Sequence, residues 1–142
     1  MTINSKQKGA RFERELASLF REKYGFSDSQ RTAQYCGKTG EAADVKGLPG
    51  IHIEAKHQET MRLYDWMEQA KRDSEKSGDI PAVFHKKNRH EILVTLRLDD
   101  FMEIYTEWNA GQELKEFYKK FPLSPLLKEG EANDSTGSDC ED

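Results

Sequence analysis

Ile51-His52-Ile53-Glu54-Ala55-Lys56 alternates apolar with ionisable side chains. Side chains leave a strand on alternate faces, so Ile51, Ile53 and Ala55 share one face while His52, Glu54 and Lys56 share the other. An acid and a base thereby stand side by side. Upstream, Ala43-Asp44-Val45-Lys46 is joined to this run by Gly47-Leu48-Pro49-Gly50, in which Pro-Gly supplies the dihedrals of a tight turn. The two runs read as a β-hairpin that brings Asp44 within a register step of Glu54. Two carboxylates held a few ångströms apart repel unless a proton or a cation lies between them. Hard oxygen ligands with open positions suit Mg²⁺, with Mn²⁺ as a substitute. Taken alone, the pattern also suits a solvated hairpin face with ordinary ion pairs, because a chain that is 34% charged produces such spacings by chance.

A third carboxylate comes from the N-terminal segment. Between Ser5 and Tyr24 the apolar residues Phe12, Leu16, Leu19, Phe20 and Tyr24 recur at helical spacing, and Gly25 follows as a stop. At about 100° per residue, Glu13 falls between Phe20 and Tyr24, inside the apolar arc. A carboxylate aimed at the core costs several kcal/mol unless it is paired or bound to a metal. A place in the same metal site gives it a reason to be there; a boundary position or a salt bridge to a core-facing Lys or Arg gives it another.

These residues need elements to position them. The first helix spans Ser5 to Tyr24. The polar stretch Ser27 to Ala42, with Gly37 and Gly40, reads as a loop with one short strand near Arg31 to Tyr35. After the hairpin, Leu63, Met67, Ala70 and Ser74 keep helical spacing within Met61 to Lys76, and Ser77-Gly78-Asp79 ends the run. Ile80 to His85 and Glu91 to Leu98 give two further strands around the turn Lys86 to His90. Asp99 to Trp108 and Gln112 to Phe121 read as two short helices. The whole is one mixed sheet with helices, an α/β or α+β architecture. Residues 1–128 form a single domain, with C-terminal helices from about residue 99. Residues 129–142 form an acidic tail without large apolar side chains, expected to be disordered.

Composition narrows the class. The net charge is -4, but the tail carries six acidic residues and no basic one. The rest holds 22 basic against 20 acidic side chains, a net of +2, which permits a nucleic-acid partner without pointing to one. No apolar run approaches the roughly 18 to 20 residues of a membrane span, and Met1 to Lys8 has no signal-peptide core. Cys36 and Cys140 are far apart in the sequence and Cys140 sits in the polar tail, so neither a disulfide framework nor a paired-cysteine zinc site is suggested. A cytoplasmic protein is expected. Gly37-Lys38-Thr39 lacks the first glycine of a phosphate-binding loop, since Thr32 stands there. His52, His57, His85 and His90 show no zinc-ligand spacing and read as structural or surface groups. Trp66 and Trp108 read as core or interface residues.

Lys8-Gly9-Ala10-Arg11-Phe12-Glu13-Arg14-Glu15-Leu16, then Arg31-Thr32, then Asp44, then Glu54-Ala55-Lys56, in that order, resemble the archaeal-type Holliday junction resolvases and related phage nucleases of the PD-(D/E)xK superfamily. The resemblance continues through Gly78-Asp79-Ile80-Pro81-Ala82-Val83 and covers roughly Lys8 to Leu98. Ala43 stands where the superfamily often has Pro, and the loop between Arg31 and Asp44 is longer than in the archaeal enzymes. The resemblance implies a restriction-endonuclease-like core, a central mixed β-sheet flanked by helices. It also implies a Mg²⁺-dependent DNA endonuclease with Glu13, Asp44, Glu54 and Lys56 as catalytic residues. Asp44 and Glu54 would be the main metal ligands, joined by the Ala55 carbonyl and by Glu13 directly or through water. Lys56 would orient or deprotonate the attacking water, or neutralise a phosphate oxygen. Gln69 resembles a glutamine that some superfamily members carry near the site. Arg14 and Arg31 match positions that grip the DNA backbone, with Lys38 nearby in the loop. The expected partner is branched or four-way junction DNA, and the expected assembly is a homodimer with two sites for paired nicks. The rival readings are another nuclease of the superfamily, of restriction or repair type, and a DNA-binding module that has lost catalysis.

Overall fold

The structure is a computed structural model that describes residues 4–32 and 43–122. The helix α1 spans Ser5–Glu22. Asn4 caps it by accepting a hydrogen bond from the Lys6 N–H at 3.1 Å, which satisfies one of the donors a helix start leaves unpaired. Gly25, at φ +79°, turns the chain out of the helix, and the Phe26 N–H reaches back to the Phe20 carbonyl at 2.8 Å.

Two short strands follow, β1 at Gln30–Arg31 and β2 at Val45–Lys46, and then the longer β3 at Ile51–His57. The hairpin expected around Pro49-Gly50 forms, with β2 and β3 antiparallel and Val45 opposite Ile53. The helix α2, Leu63–Ser74, crosses to β4, Ile80–Lys86, which lies parallel to β3. The strand β5, Leu93–Thr95, returns antiparallel to β4. The five strands among the described residues stand in sequence order in one mixed sheet, the α/β arrangement that the sequence implied.

The inner strands β3 and β4 are covered on both faces. On one, Phe12, Leu16, Ala17 and Phe20 of α1 pack with Val45, Ile53, Ala55, Ala82 and Phe84, and Phe20 meets Phe84 edge-on at 5.6 Å. On the other, Trp66, Met67 and Ala70 of α2 pack around Val83. The parallel register pairs Ile53 with Ala82 and Glu54 with Val83, so the alternation read along Ile51–Lys56 is the alternation between the α1 side and the α2 side.

Gly47 shows why the approach to β2 is narrow. At φ +116°, a Cβ there would stand 2.3 Å from the Ser29 Cα, while the Ser29 hydroxyl donates to the Lys46 carbonyl at 2.9 Å. Only glycine lets the β1 segment come this close.

One expectation is corrected. In place of two short helices there is one, α3, Leu98–Lys120, which runs through Gly111. A helix-interior glycine costs about 1 kcal/mol relative to alanine and does not by itself end a helix. The Asn109 amide donates to Glu113 at 3.1 Å across the expected break. The chain divides into two compact units, Met1–Phe101 and Met102–Asp142, and the first holds the whole sheet with α1 and α2. Among the described residues no helix is long and apolar enough to cross a membrane. Lys38, the two cysteines and the acidic tail lie outside the described residues, as does most of the expected loop before Asp44.

Candidate active site

Asp44 immediately precedes β2, and its backbone extends the sheet: its N–H donates to the Ile53 carbonyl at 3.0 Å and its carbonyl accepts from Thr32 at 2.9 Å. One step along from the Val45–Ile53 pair, it comes alongside Glu54. Its side chain is tied to β3 as well, because Oδ2 accepts a 2.8 Å hydrogen bond from the Ala55 N–H. The hairpin thus fixes Asp44 through both backbone and carboxylate.

Glu54 lies on the α2 face and is only 1% exposed. Lys56, two residues on and therefore on the same face, sets its ammonium 3.1 Å from Glu54 Oε1. The same ammonium donates to Gln69 Oε1 on α2 at 3.2 Å. Glu54 Oε2, however, is buried with no hydrogen-bond partner among the described residues. Burial and the neighbouring Asp44 charge push the Glu54 carboxyl up to about 7, against the pull of Lys56. Asp44 is also raised, first by burial, with its Ala55 hydrogen bond and Lys56 opposing.

Glu13 is buried within α1, as its place in the apolar arc required. It forms an ion pair with Arg31 Nε from β1. Burial raises its carboxyl above the usual range even so. Of the three readings that the sequence left open for a core-facing Glu13, the salt bridge is present, with Arg31 as the partner. Arg31 is accordingly not a free phosphate ligand; it is half-buried and engaged with Glu13. Glu13 also lines, with Asp44, Glu54, Ala55, Lys56, Arg31 and Gln69, a single cleft of about 260 Å³, so the pair sits where a metal site would be. Arg14 is exposed on α1 and is not part of this lining.

All four expected catalytic positions and Gln69 thus converge on one cleft, drawn from α1, the β2–β3 hairpin and α2. Three carboxylates there are held above their ordinary ionisation range although Lys6, Lys56 and Arg31 also line the cleft, and one buried oxygen has no hydrogen-bond partner among the described residues. Such a donor set fits a divalent cation with oxygen ligands, which would replace the protons that burial otherwise favours. One ionisable group escaped the reading of the sequence: Asp73, half-buried on α2. His52, expected to be a structural or surface group, is buried on the α2 face of β3. The signal for Asp73 was there: it stands two helical turns after the buried Trp66, on the packed side of α2.

Residues 4–125 match the model of a family described as "Phage putative PDDEXK endonuclease". The fold is similar to a solved structure of Archaeoglobus fulgidus Hjc, a Holliday junction resolvase from an archaeal hyperthermophile. The two are 23% identical over 62% of this chain and 76% of that one, with a TM-score of 0.47. No curated protein matches the chain.

Proposed function

The chain belongs to the phage PDDEXK endonuclease family, and from that premise we propose that it is a Mg²⁺-dependent endodeoxyribonuclease acting on branched DNA, four-way junctions in particular. The observation that carries the reading is the buried Glu54 carboxylate, which has one oxygen on Lys56 and the other unpaired, in the same cleft as Asp44. Asp44, Glu54 and the Ala55 carbonyl would hold the cation, with Glu13 completing the set directly or through water. Bound there, a divalent cation supplies Lewis-acid activation of water and positive charge against a phosphoryl oxygen.

The chain's own residues supply the rest. An ammonium has three N–H donors. Glu54 and Gln69 take two from Lys56, and this fixes the side chain with one donor left for the attacking water or a phosphate oxygen. Water attacks phosphorus, the bond to the leaving sugar oxygen breaks, and the proton from the water passes to solvent or to a basic group in the cleft. Gln69 is a positioning residue that holds Lys56. Arg31 neutralises Glu13, and Arg14, exposed on α1, is the phosphate contact proposed among the described residues, with Lys38 of the preceding loop sequence as a second candidate. These contacts position DNA without reading its sequence. The nuclease domain is taken as residues 1–128, at work in the cytoplasm of a phage-infected cell.

The choice of a four-way junction rests on what the resemblance of Lys8–Leu16, Arg31-Thr32, Asp44 and Glu54–Lys56 to archaeal-type Holliday junction resolvases implies. Its test is cleavage of a labelled panel of four-way junction, flap, linear duplex and single strand, with Mg²⁺ or EDTA. Symmetric nicking of the junction is expected, abolished by EDTA and by Asp44→Asn, and lowered by roughly 10²- to 10⁴-fold in Lys56→Ala. Gln69→Ala should lower it less. Equal cleavage of duplex and flap would replace the junction reading with a restriction- or repair-type nuclease. Binding without cleavage of any substrate would leave a DNA-binding module.

A further inference from the structure

Beneath the cleft, on the α2 side of β3, stands a second group of metal-ligating side chains. His52, Glu54 and Asp73 each offer one ligand atom, and the three atoms lie within 4.8 Å of one another. The topology explains the convergence: His52 and Glu54 are two residues apart on one face of β3, and α2 packs across that face. His52 is 3% exposed and Glu54 is 1% exposed. His52 Nε2 and Glu54 Oε2 are the two buried side-chain polar atoms, among the described residues, without a hydrogen-bond partner. Leaving two such atoms dry in one small region costs about 1–3 kcal/mol each unless something bonds to both.

We propose that His52, Glu54 and Asp73 form a second cation site, distinct from the one at Asp44, that takes a borderline ion such as Zn²⁺. An imidazole nitrogen with two carboxylate oxygens is a donor set for ions of this class, whereas Mg²⁺ favours all-oxygen coordination and keeps several waters. Two of the three ligands are almost wholly buried, which leaves little room for such a water shell, while the half-buried Asp73 provides the route of entry. Glu54 is common to both sites. An ion held there would therefore share the Glu54 carboxylate and tie α2 to the strand that carries Glu54 and Lys56. The site does not depend on the nuclease reading, since binding there requires only these three side chains.

The test uses the full chain and Zn²⁺ itself. Calorimetric titration of Asp44→Asn should retain one tight Zn²⁺ site. The same titration followed by NMR should shift the His52 ring resonances to saturation at one equivalent, with no such shift from Mg²⁺. Asp73→Asn, at a half-buried position, should weaken Zn²⁺ binding on the order of 100-fold while its Mg²⁺ affinity changes little. Zn²⁺ binding lost in Asp44→Asn and unchanged in Asp73→Asn, with the His52 ring unmoved, would assign the ion to the cleft and overturn the proposal. Absence of Zn²⁺ binding alongside normal Mg²⁺-dependent cleavage would overturn it and leave the nuclease reading intact. Zn²⁺ binding with no cleavage would do the reverse.

Discussion

Glu54 concentrates the physics of the site. Its carboxyl is raised from 4.5 to about 7 because burial and Asp44 both oppose its charge. The native state therefore binds a proton that the unfolded chain releases at lower pH. The resulting stability is fully present below about 4.5 and is lost as pH rises through about 7. Asp44 and Glu13, also raised, act in the same direction. A divalent cation competes with those protons, so its affinity should increase over the same interval. Thermal melts from pH 5 to pH 8 should show the EDTA-treated protein losing stability toward pH 8 and Mg²⁺ restoring it. Glu54→Gln should flatten the EDTA profile and remove most of the Mg²⁺ response. Parallel profiles for the variant and the wild type would place the titration elsewhere.

Among the elements, two glycines make opposite demands. Gly47 has a positive φ and its missing Cβ faces the Ser29 backbone, so Gly47→Ala meets both backbone strain and overlap. A loss on the order of 2 kcal/mol or more is expected in denaturant unfolding. The loss should extend to activity, because the β1–β2 contact carries Arg31 and Asp44. Gly111 lies inside α3, and a methyl group added to it would meet nothing within 4 Å. Gly111→Ala should therefore stabilise that helix by about 0.5–1 kcal/mol, measured as greater amide-exchange protection around residue 111. Destabilisation there would argue for a break between two helices after all.

For the molecule as a whole, the question is assembly. On α3 the side chains of Ile104, Tyr105, Trp108, Leu114, Phe117 and Tyr118 are exposed, far more apolar surface than one helix of a monomer commonly shows to water. A homodimer through this helix is the expectation that accompanies paired nicking of a junction. Light scattering should give twice the 16.4 kDa chain mass, and Trp108→Glu with Phe117→Glu should return the protein to monomer without unfolding the sheet. A wild-type monomer at micromolar concentration would remove both the interface and the paired-nick geometry.

The helix that carries Glu13, the β2–β3 hairpin and the placing of Asp44 alongside Glu54, with Lys56 on the same face, were legible in the residues alone. These are local properties: a 3.6-residue period, a two-residue alternation and a Pro-Gly turn fix which side chains share a face. The same periodicity placed Glu13 on the core side but left its partner open, because an ion pair between residues 13 and 31 depends on how α1 meets the sheet. The continuity of α3 escaped for a related reason: one glycine is a weak local signal, and whether it breaks a helix depends on what surrounds it. The packing of elements against one another was needed to bring Gln69 to Lys56 and Asp73 to His52. Strand periodicity says that His52 and Glu54 look the same way, but not what they look at. That was decided when α2 crossed from β3 to β4 and covered the face, turning residues far apart in the chain into neighbours.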